Sequence, residues 1–481
     1  MSKIRLDDTI VAISTPVGEG GIGIVRLSGR DALKIADRIF VSRNDKRPSR
    51  VKTYTVHYGH IFEKVHKRAP RFRSGQASTQ EHKIVDEVLL TVMRAPKSYT
   101  KEDVVEINCH SGIVPLRKIL GIVLENGGRL AEPGEFTKRA FLNGRINITQ
   151  AEAVLDIIRA KTDLSLRAAI NSLKGAFSKK IEDVRDRLLS IFSNIEASID
   201  FSYEEDIDHI KKKDVLKGLK GIKKDMEKII STASDGKVLR QGIKTVICGS
   251  PNVGKSSLMN ALIKESRAIV TDIPGTTRDT IEEIVNIKGI PLVLVDTAGI
   301  IDTRHPADKE GVKRSRSSIE AADLILLVLD YSRRINKNDK AIMSNLKNKE
   351  NIIIVVNKKD LKKRIDIKVI RKTFPKNRVV YISAIDLSGI EGLEHVICDI
   401  IFKGKAPSAD LVSVSNERQL SILRHSLGDI NAAIDSFNGK IPMDCIGVYV
   451  RSSIENLGAI TGHSITEEAL DRIFSEFCIG K

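Results

Sequence analysis

The stretch Gly249-Ser250-Pro251-Asn252-Val253-Gly254-Lys255-Ser256 has the pattern G-x-x-x-x-G-K-S. Residues 245–248 before it form a short apolar run, and residues 257–262 after it are helix-like. A glycine-rich turn between a strand and a helix lets backbone N–H groups close around phosphate oxygens, and the helix N-terminus favours their negative charge. We expect a phosphate loop here, with Lys255 on the β- and γ-phosphates of a nucleotide and Ser256 on Mg²⁺.

A second apolar run, residues 290–295, reads as a buried strand that ends at Asp296-Thr297-Ala298-Gly299. Asp296 suits the acid that holds Mg²⁺ through water, and Gly299 can bring a backbone amide close to a γ-phosphate. The segment Gly275-Thr276-Thr277-Arg278-Asp279 lies between these two motifs, where a first switch loop belongs. Thr277 is the expected second Mg²⁺ ligand.

Two later strand ends predict which base is bound. Residues 351–356 lead into Asn357-Lys358-Lys359-Asp360, an N-K-x-D pattern, and residues 379–382 lead into Ser383-Ala384. The Asp360 carboxylate can accept hydrogen bonds from N1–H and the exocyclic amine of guanine, a donor pair that adenine lacks. Each motif alone also fits an ordinary solvated loop, but their order at successive strand ends predicts GTP.

The pattern of apolar residues predicts an α/β plus all-α protein. Alternating strands and amphipathic helices across residues 240–400 indicate a doubly wound parallel sheet, and apolar spacings of three and four predict helices over residues 149–230 and after 404. We expect a P-loop GTPase domain (236–403) inserted into a helical domain (131–230 and 404–481), preceded by an α+β domain (1–130). Gly236 and Gly242 bracket an expected hinge. Strands of the first domain are expected at residues 10–13, 22–27, 88–93 and 104–108.

Several stretches outside the nucleotide motifs are distinctive. They are residues 8–12, 20–29 and 98–106, Glu132-Pro133-Gly134-Glu135-Phe136-Thr137-Lys138-Arg139-Ala140-Phe141-Leu142-Asn143-Gly144, and Phe477-Cys478-Ile479-Gly480-Lys481. Together with the GTPase motifs, they resemble the bacterial tRNA modification GTPase family MnmE, also called TrmE, over essentially the full length.

The resemblance implies a reaction and partners. With an FAD-dependent partner, MnmG (also called GidA), the family modifies carbon 5 of the wobble uridine of certain tRNAs. An aminomethyl-type group results, with a one-carbon unit from a tetrahydrofolate derivative. The resemblance also implies a homodimer formed through the N-terminal domain, and a heterotetramer or larger complex with the partner.

The resemblance further implies a folate site at Arg26, Glu106, Arg145 and Lys481, and it makes Cys478 a candidate reactive thiol. Arginine can pair with folate carboxylates, and a glutamate can accept from the pterin amino group. Ordinary salt bridges are the alternative for the four charged residues, and a small packed thiol is the alternative for Cys478.

The hydrolytic machinery is also predicted in part by resemblance. Ile300 follows Gly299, where many regulatory GTPases carry a water-orienting glutamine, so catalysis must come from elsewhere. Asn252 and the segment 271–276 resemble the potassium-activated GTPases, which implies K⁺ ligands at Asn252, Thr271, Ile273 and Thr276. A side chain that only stabilises the loop is the alternative for Asn252. Asp308 matches a family glutamate that orients the attacking water. Its side chain is one methylene shorter, with Glu310 as the fallback and a solvated helix-start carboxylate as the alternative.

The predicted catalytic residues are therefore Asp308, Asn252 and Lys255. The predicted GTP-binding residues are Asn252, Val253, Gly254, Lys255, Ser256, Ser257, Thr271, Asp272, Ile273, Pro274, Gly275, Thr276, Thr277, Asp296, Thr297, Ala298, Gly299, Asn357, Lys358, Asp360, Ser383 and Ala384.

The composition fits a polyanionic partner such as tRNA. The 79 Lys and Arg exceed the 62 Asp and Glu by 17, and the pI is near 9.5. Aromatic residues make up only 4% of the chain and Trp is absent, so phosphate contacts are favoured over base stacking. Two segments are strongly basic. Residues 64–83 fit a disordered hairpin tip or an RNA-contacting loop, and residues 211–224 fit a solvated helix face or an RNA site.

Cysteine usage and hydropathy suggest the cell compartment. The five cysteines are scattered and never form C-x-x-C, which argues against a disulfide framework or a zinc site. No apolar run reaches membrane-spanning length, and the first residues lack a signal-peptide core. We expect a bacterial cytoplasmic protein. A ribosome-assembly GTPase switch is the alternative function, and a nucleotide-gated oligomer without chemistry of its own is a weaker one.

Overall fold

The structure is a computed structural model that describes residues 7–64, 82–200, 205–265, 282–295, 317–402, 404, 414, 416–439 and 441–481. The chain divides into two compact units. The first unit consists of Met1–Leu155 with Gly458–Lys481, and the second is Asp156–Leu457. Among the described residues, every helix is too short or too polar to cross a membrane.

The described elements of the first part of the chain are mixed strands and helices, followed by a run of six helices. In order they are β1 (Ile10–Ile13), β2 (Gly20–Ser28), α1 (Ala32–Ile39), β3 (Phe40–Ser42), a 3₁₀ turn (Pro48–Arg50), β4 (Thr55–Lys64), β5 (His82–Met93), β6 (Val104–Ser111), α2 (Ile113–Glu125), β7 (Arg129–Leu130), α3 (Glu135–Leu142), α4 (Ile148–Arg159), α5 (Asp163–Leu173), α6 (Ala176–Asp200), α7 (Glu205–Ser231) and α8 (Ala233–Gln241).

The later elements begin with the strand that precedes the phosphate loop. In order they are β8 (Ile243–Cys248), α9 (Lys255–Glu265), β9 (Glu282–Ile287), β10 (Ile290–Val295), β11 (Leu324–Asp330), α10 (Lys337–Leu346), β12 (Ile352–Asn357), α11 (Ile367–Thr373), β13 (Arg378–Tyr381), α12 (Ile390–Phe402), α13 (Glu417–Asn438), α14 (Met443–Thr461) and α15 (Glu467–Ser475).

The first unit is built on a seven-stranded sheet in the order β3-β4-β5-β6-β2-β1-β7. Its strand pairs are antiparallel except for β1 with β7. Successive side chains of a strand alternate between the two faces, so every second residue can face one core. Helices α1 and α2 contribute to that core with Ile35 and Ile119, together with Leu27, Leu90 and Ile107 of the strands. The four strands expected in this region are confirmed within β1, β2, β5 and β6.

The second unit contains a six-stranded sheet in the order β13-β12-β11-β8-β10-β9. Its strands are parallel except for β9, which is antiparallel to β10. The sequence predicted a parallel sheet and did not predict β9. The reason is local: β9 and β10 are joined by Lys288 and Gly289, whose φ angles of 49° and 91° belong to a tight hairpin turn.

Both faces of this sheet are buried, which explains the unbroken apolar runs of its strands. Leu326 and Val328 belong to one core, while the alternating residues Leu327 and Leu329 belong to the other. A parallel sheet buried on both faces is the doubly wound arrangement, in which ligands bind at the carboxyl ends of the strands.

The helices of the second unit pack beside one another. Helix α7 packs against both α6 and α13, although α13 follows the sheet in sequence and α7 precedes it. The sheet is therefore an insertion between helices that meet in space, and the predicted fold class is confirmed. The three domain boundaries stay predictions.

The expected hinge between Gly236 and Gly242 is wrong. Residues between them belong to α8, and Gly236 is buried within that helix. Of the two glycines, only Gly242 lies outside the helix. It follows α8 with φ at 79°, and a Cβ there would lie 2.6 Å from the Pro291 carbonyl oxygen, so glycine fits both the helix end and the close approach.

Candidate functional site

The phosphate loop between β8 and α9 has the backbone shape that its glycines permit. Gly249 and Gly254 have φ angles of 153° and 93°, and Asn252 also has a positive φ of 62°. A Cβ at Gly249 would lie 2.4 Å from the Val328 carbonyl oxygen. The loop therefore lies directly against the end of β11, and any side chain at Gly249 would displace it.

Lys255 begins α9 and folds back over the loop. Its Nζ donates to the carbonyl oxygens of Gly249 and Ser250, at 3.1 Å each. Ser256 and Ser257 are exposed in the first turn of α9. The loop thus presents an ammonium group, two hydroxyls and a helix N-terminus on one side, which is the chemistry that suits a phosphate chain with a magnesium ion.

Asn357 joins three of the predicted motifs. Its Nδ2 donates to the Val253 carbonyl at 3.0 Å, and its Oδ1 accepts from the Ala384 backbone N–H, also at 3.0 Å. The side chain is buried at the end of β12. A Cβ at Gly254 would lie 2.2 Å from this amide nitrogen. One amide therefore fixes the phosphate loop and the Ser383-Ala384 loop relative to each other.

Lys358 makes a second connection to the phosphate loop. Its Nζ donates to the Asn252 carbonyl at 2.8 Å and to Asp330 Oδ2 at 2.7 Å. Burial raises the pKa of Asp330, but hydrogen bonds from Lys358 and Ser332 lower it more strongly, so the pKa of this carboxyl lies below its ordinary value. Asp330 therefore stays ionised beside the ammonium group of Lys358.

Sequence reasoning missed Asp330 and Asp339. Asp330 ends the apolar strand β11, as Asn357 ends β12 beside it, and that shared position was the available signal. Asp339 is buried and accepts a hydrogen bond from Ser250 of the phosphate loop at 2.5 Å. It also forms a capping box with Asn336 at the start of α10. The capping pattern was legible in the sequence, but its contact with the loop was not.

Asp360, the last residue of the N-K-x-D stretch, comes two residues after Lys358 and is exposed. The preceding Lys359 donates its backbone N–H to the Ile382 carbonyl at 3.0 Å, which places the N-K-x-D loop beside the Ser383-Ala384 loop. The carboxylate is therefore on the surface at the carboxyl edge of the sheet, where a base bound next to the phosphate loop can be read.

Much of the predicted phosphate and metal environment lies outside the described residues. This applies to Thr271, Asp272, Ile273, Pro274, Gly275, Thr276, Thr277, Asp296, Thr297, Ala298, Gly299, Asp308 and Glu310. Among the residues that are described, His, Cys, Asp and Glu form no group of three that could hold a metal ion.

The predicted folate residues come together in the first unit. Arg26 on β2 pairs through Nε with Glu106 Oε1 at 2.8 Å, and its Nη1 donates to the Gly480 carbonyl at 3.1 Å. Ser14 donates to the same carbonyl at 3.2 Å. These contacts hold Gly480, the residue before Lys481, against β1 and β2.

Arg145 adds a second guanidinium beside a tyrosine. It lies over the Tyr99 ring, 4.6 Å from the centroid, and donates to the Tyr99 carbonyl at 2.9 Å. Burial raises the pKa of Tyr99, and the hydrogen bond with Thr137 and then the positive charges of Arg145 and Arg26 oppose that rise in part. An aromatic face, two guanidinium groups and a carboxylate are suited to a ring system with acidic arms.

Among the cysteines, exposure separates Cys478 from the buried thiols. Cys478 is exposed, whereas Cys109 and Cys248 are buried. Burial raises the pKa of Cys109 to about 11 and that of Cys248 to about 12, which keeps both as thiols. The Cys478 carbonyl accepts from Gly134 at 3.4 Å and from Lys481 at 3.3 Å, so its backbone is fixed.

The doubly wound sheet, the phosphate loop and the N-K-x-D strand end define a P-loop GTPase. Two family models match the chain: "GTP-binding protein TrmE N-terminus" over residues 9–145 and "MnmE helical domain" over residues 148–478. The chain belongs to the MnmE (TrmE) family of tRNA modification GTPases.

Relatives and a solved structure give the extent of the similarity. The tRNA modification GTPase MnmE of Geobacillus kaustophilus is 46% identical over 98% of this chain and 99% of its own length. That of Alkaliphilus oremlandii is 44% identical over 99% of this chain and 100% of its own length. A crystal structure of the G domain of the T. maritima FeoB iron transporter is 29% identical, covers 32% of this chain and 96% of that chain, and has a TM-score of 0.25.

Proposed function

We propose that this protein hydrolyses GTP to GDP and phosphate to drive modification of carbon 5 of the wobble uridine in certain tRNAs. The observation that supports the nucleotide site best is the Asn357 side chain, which bonds to both the phosphate loop and the Ser383-Ala384 loop. The tRNA role rests on family membership and on the similarity to tRNA modification GTPases over nearly the whole chain. No observation favours the ribosome-assembly alternative.

Two metal ions belong to this proposal. Ser256 would hold Mg²⁺ together with Thr277, with Asp296 acting through water, and Mg²⁺ neutralises charge on the β- and γ-phosphates. Asn252 would bind K⁺ with Thr271, Ile273 and Thr276, and K⁺ adds positive charge where another GTPase uses an arginine. The fit of Asn252 is supported by its exposed place on the loop, with its backbone carbonyl held by Lys358.

The carboxylate of Asp308 is proposed to orient the attacking water, with Lys255 on the phosphates. In such a step the enzyme forms no covalent bond to the phosphoryl group. Orienting the attacking water therefore supplies a large part of the reduction in the activation barrier. Glu310 is the second carboxylate of the same segment and remains the fallback.

Hydrolysis should be at least tenfold faster in KCl than in NaCl, and Asn252→Ala should remove most of that difference. The amide oxygen is lost, so the ion that neutralises charge in the transition state is held less well. Phosphate release measured in matched salts checks this. Asn260→Ala, at an exposed position of α9 further from the loop, is the control and should keep the K⁺ preference. Equal rates in both salts would rule out potassium activation.

We further propose that a tetrahydrofolate derivative binds at Arg26, Glu106, Arg145 and Lys481. The convergence of Arg26, Glu106 and the 478–481 segment supports this site. Arg26 and Arg145 would pair with the acidic arms, and Glu106 would accept from the pterin. The derivative would supply the one-carbon unit, and the exposed Cys478 thiol lies in the same segment.

Lys481→Gly is expected to weaken tetrahydrofolate binding about tenfold, the loss of one charge-assisted hydrogen bond. Isothermal titration calorimetry on the full chain measures it. Cys478→Ser changes a neighbouring side chain without changing charge, and binding should be retained in this control. An unaltered dissociation constant in the glycine variant would exclude the Lys481 contact.

The remaining proposals concern assembly. One face of the first sheet is covered by α1 and α2, while Val56, Tyr58 and Leu89 on the strands β4 and β5 remain 58%, 41% and 44% exposed. Tyr58 and Leu89 are cross-strand partners, so they share a face. This apolar face supports a homodimer through the N-terminal domain. We also propose an FAD-dependent MnmG (GidA)-type partner in a heterotetramer or larger complex, in the cytoplasm of a bacterium.

A further inference from the structure

Helix α7 carries a line of lysines on one side. Lys213, Lys217, Lys220, Lys224 and Lys228 are separated by four, three, four and four residues, and all five are exposed. At 3.6 residues per turn these spacings keep the five side chains within an arc of about 80° over a length of roughly 22 Å. We call this set the lysine stripe.

The stripe faces away from the core. The buried residues of α7 are Val215, Leu219, Ile222, Met226 and Ile229. On a helix of this period they are centred about 180° from the lysines. The buried face packs against α6 and α13, so the stripe is the outer side of a helix that both neighbours hold in place.

The charges of the stripe are uncompensated in the described part of the chain. Lys223, beside the stripe, pairs with Glu227 at 4.0 Å, and Asp225 pairs with Arg187 at 2.6 Å. None of the five stripe lysines lies within 4 Å of a described carboxylate oxygen. Neighbouring α6 carries Lys179 and Lys180 and then, after Ile181, Glu182 and Asp183, so a helix in this unit can carry charges of both signs close together.

A stripe of one sign has an energetic cost. Like charges three or four positions apart on a helix destabilise it by about 0.2–0.5 kcal/mol per pair. The stripe contains four such neighbouring pairs. Phosphate groups bound along the stripe would remove this repulsion, and the lysines would release the counterions condensed on a nucleic acid backbone.

We propose that the lysine stripe binds the phosphate backbone of tRNA. This inference rests on the proposed tRNA function. An RNA backbone fits better than an acidic protein surface, because protein interfaces depend on apolar and aromatic anchors, and the described residues of α7 include no exposed large apolar side chain. Lysines act as flexible point charges on phosphates and need no fixed fork geometry.

The test compares two triple variants of the full chain. Lys217→Gln, Lys220→Gln and Lys224→Gln neutralise the middle of the stripe. Lys347→Gln, Lys349→Gln and Lys376→Gln make the same charge change at exposed positions near the opposite edge of the sheet from the phosphate loop. Binding of bulk bacterial tRNA is measured by fluorescence anisotropy at several KCl concentrations.

The stripe variant should bind tRNA at least tenfold more weakly at about 0.1 M salt, and the slope of log K against log salt should fall by about 2–3. The control triple should bind nearly as the unaltered protein does. GTP hydrolysis without tRNA should be unchanged in both. The melting temperature of the stripe variant should be equal or higher, since repulsion has been removed.

Three results would overturn the inference. Equal tRNA affinity in the stripe variant and the control would show that the stripe is only a solvated face. Equal weakening in both triples would show that net charge alone, not this helix, sets the affinity. If the unaltered protein does not bind tRNA, both the proposed tRNA function and the role of the stripe are wrong. If the unaltered protein binds tRNA and the stripe variant binds equally well, only the role of the stripe is wrong.

Discussion

Asp360→Asn is expected to lower the affinity for GTP by about 10²- to 10³-fold and to create affinity for xanthosine triphosphate. The carboxylate offers two acceptors to N1–H and the exocyclic amine of guanine. An asparagine amide offers one acceptor and one donor, and the donor would face the guanine amine. Xanthine carries a carbonyl oxygen at that position, so the same amide would match it.

Titration with fluorescent GTP and xanthosine triphosphate analogues measures the exchange of specificity. Asp366→Asn is the matched control. Asp366 is an exposed residue that caps α11 by accepting from the Lys368 backbone N–H, and asparagine is an equally good cap. If Asp360→Asn still binds GTP tightly, the base must be read by other residues, and the sheet edge beside Ser383-Ala384 loses its assigned role.

The strand ends were predictable because their signals are local. Unbroken apolar runs that end in polar residues predicted β8, β10, β12 and β13, and the doubly wound order then brought Asn357 and the phosphate loop to one edge. What the sequence could not show was the pairing. Nothing local indicates that the Asn357 amide bonds to Val253, 104 residues away. Asp330 and Asp339 were missed for the same reason.

The stretch 132–144 shows the same limit more sharply. From the sequence alone, this stretch indicated only the family, and we predicted no role for Arg139. The structure places Arg139 at 0% exposure against Asp8, Glu102 and Glu135. Two of these partners are 131 and 37 residues away. A buried ion network of this kind is invisible to periodicity, since the helix pattern alone would place arginine on a solvent face.

Arg139→Met is expected to destabilise the first unit by about 3–5 kcal/mol, because it leaves Glu102 without its counter-charge and leaves Asp8 and Glu135 with Arg129 alone. Arg139 Nη1 donates to the Asp8 carbonyl at 3.0 Å and to Glu102 at 3.1 Å, and Nη2 bonds to Asp8 Oδ1 and, at 3.1 Å, to Glu135. Burial raises the pKa of Glu135, but hydrogen bonds from Arg129 and from the Glu132 backbone and the charge of Arg139 lower it below its ordinary value. The methionine side chain keeps much of the volume but none of the charge.

Scanning calorimetry of the full chain with and without GDP separates the two units. GDP should raise the melting temperature of the second unit, which carries the nucleotide site, and should leave that of the first unit unchanged. Arg139→Met should lower the melting temperature of the transition that GDP does not shift. Lys138→Met is the neighbouring control. Lys138 pairs with Asp471, whose side chain is 59% exposed, and its loss should cost at most about 1 kcal/mol.

A second substitution separates charge from packing. Adding Glu102→Gln to Arg139→Met replaces an uncompensated buried charge with a neutral amide that can still accept from Ser28, which bonds to Glu102 at 2.6 Å. The double variant should therefore recover part of the lost stability. If it is less stable than Arg139→Met, or if Arg139→Met melts like Lys138→Met, the ion network does not hold the first unit together, and the packing of α3 on its neighbours must carry that stability instead.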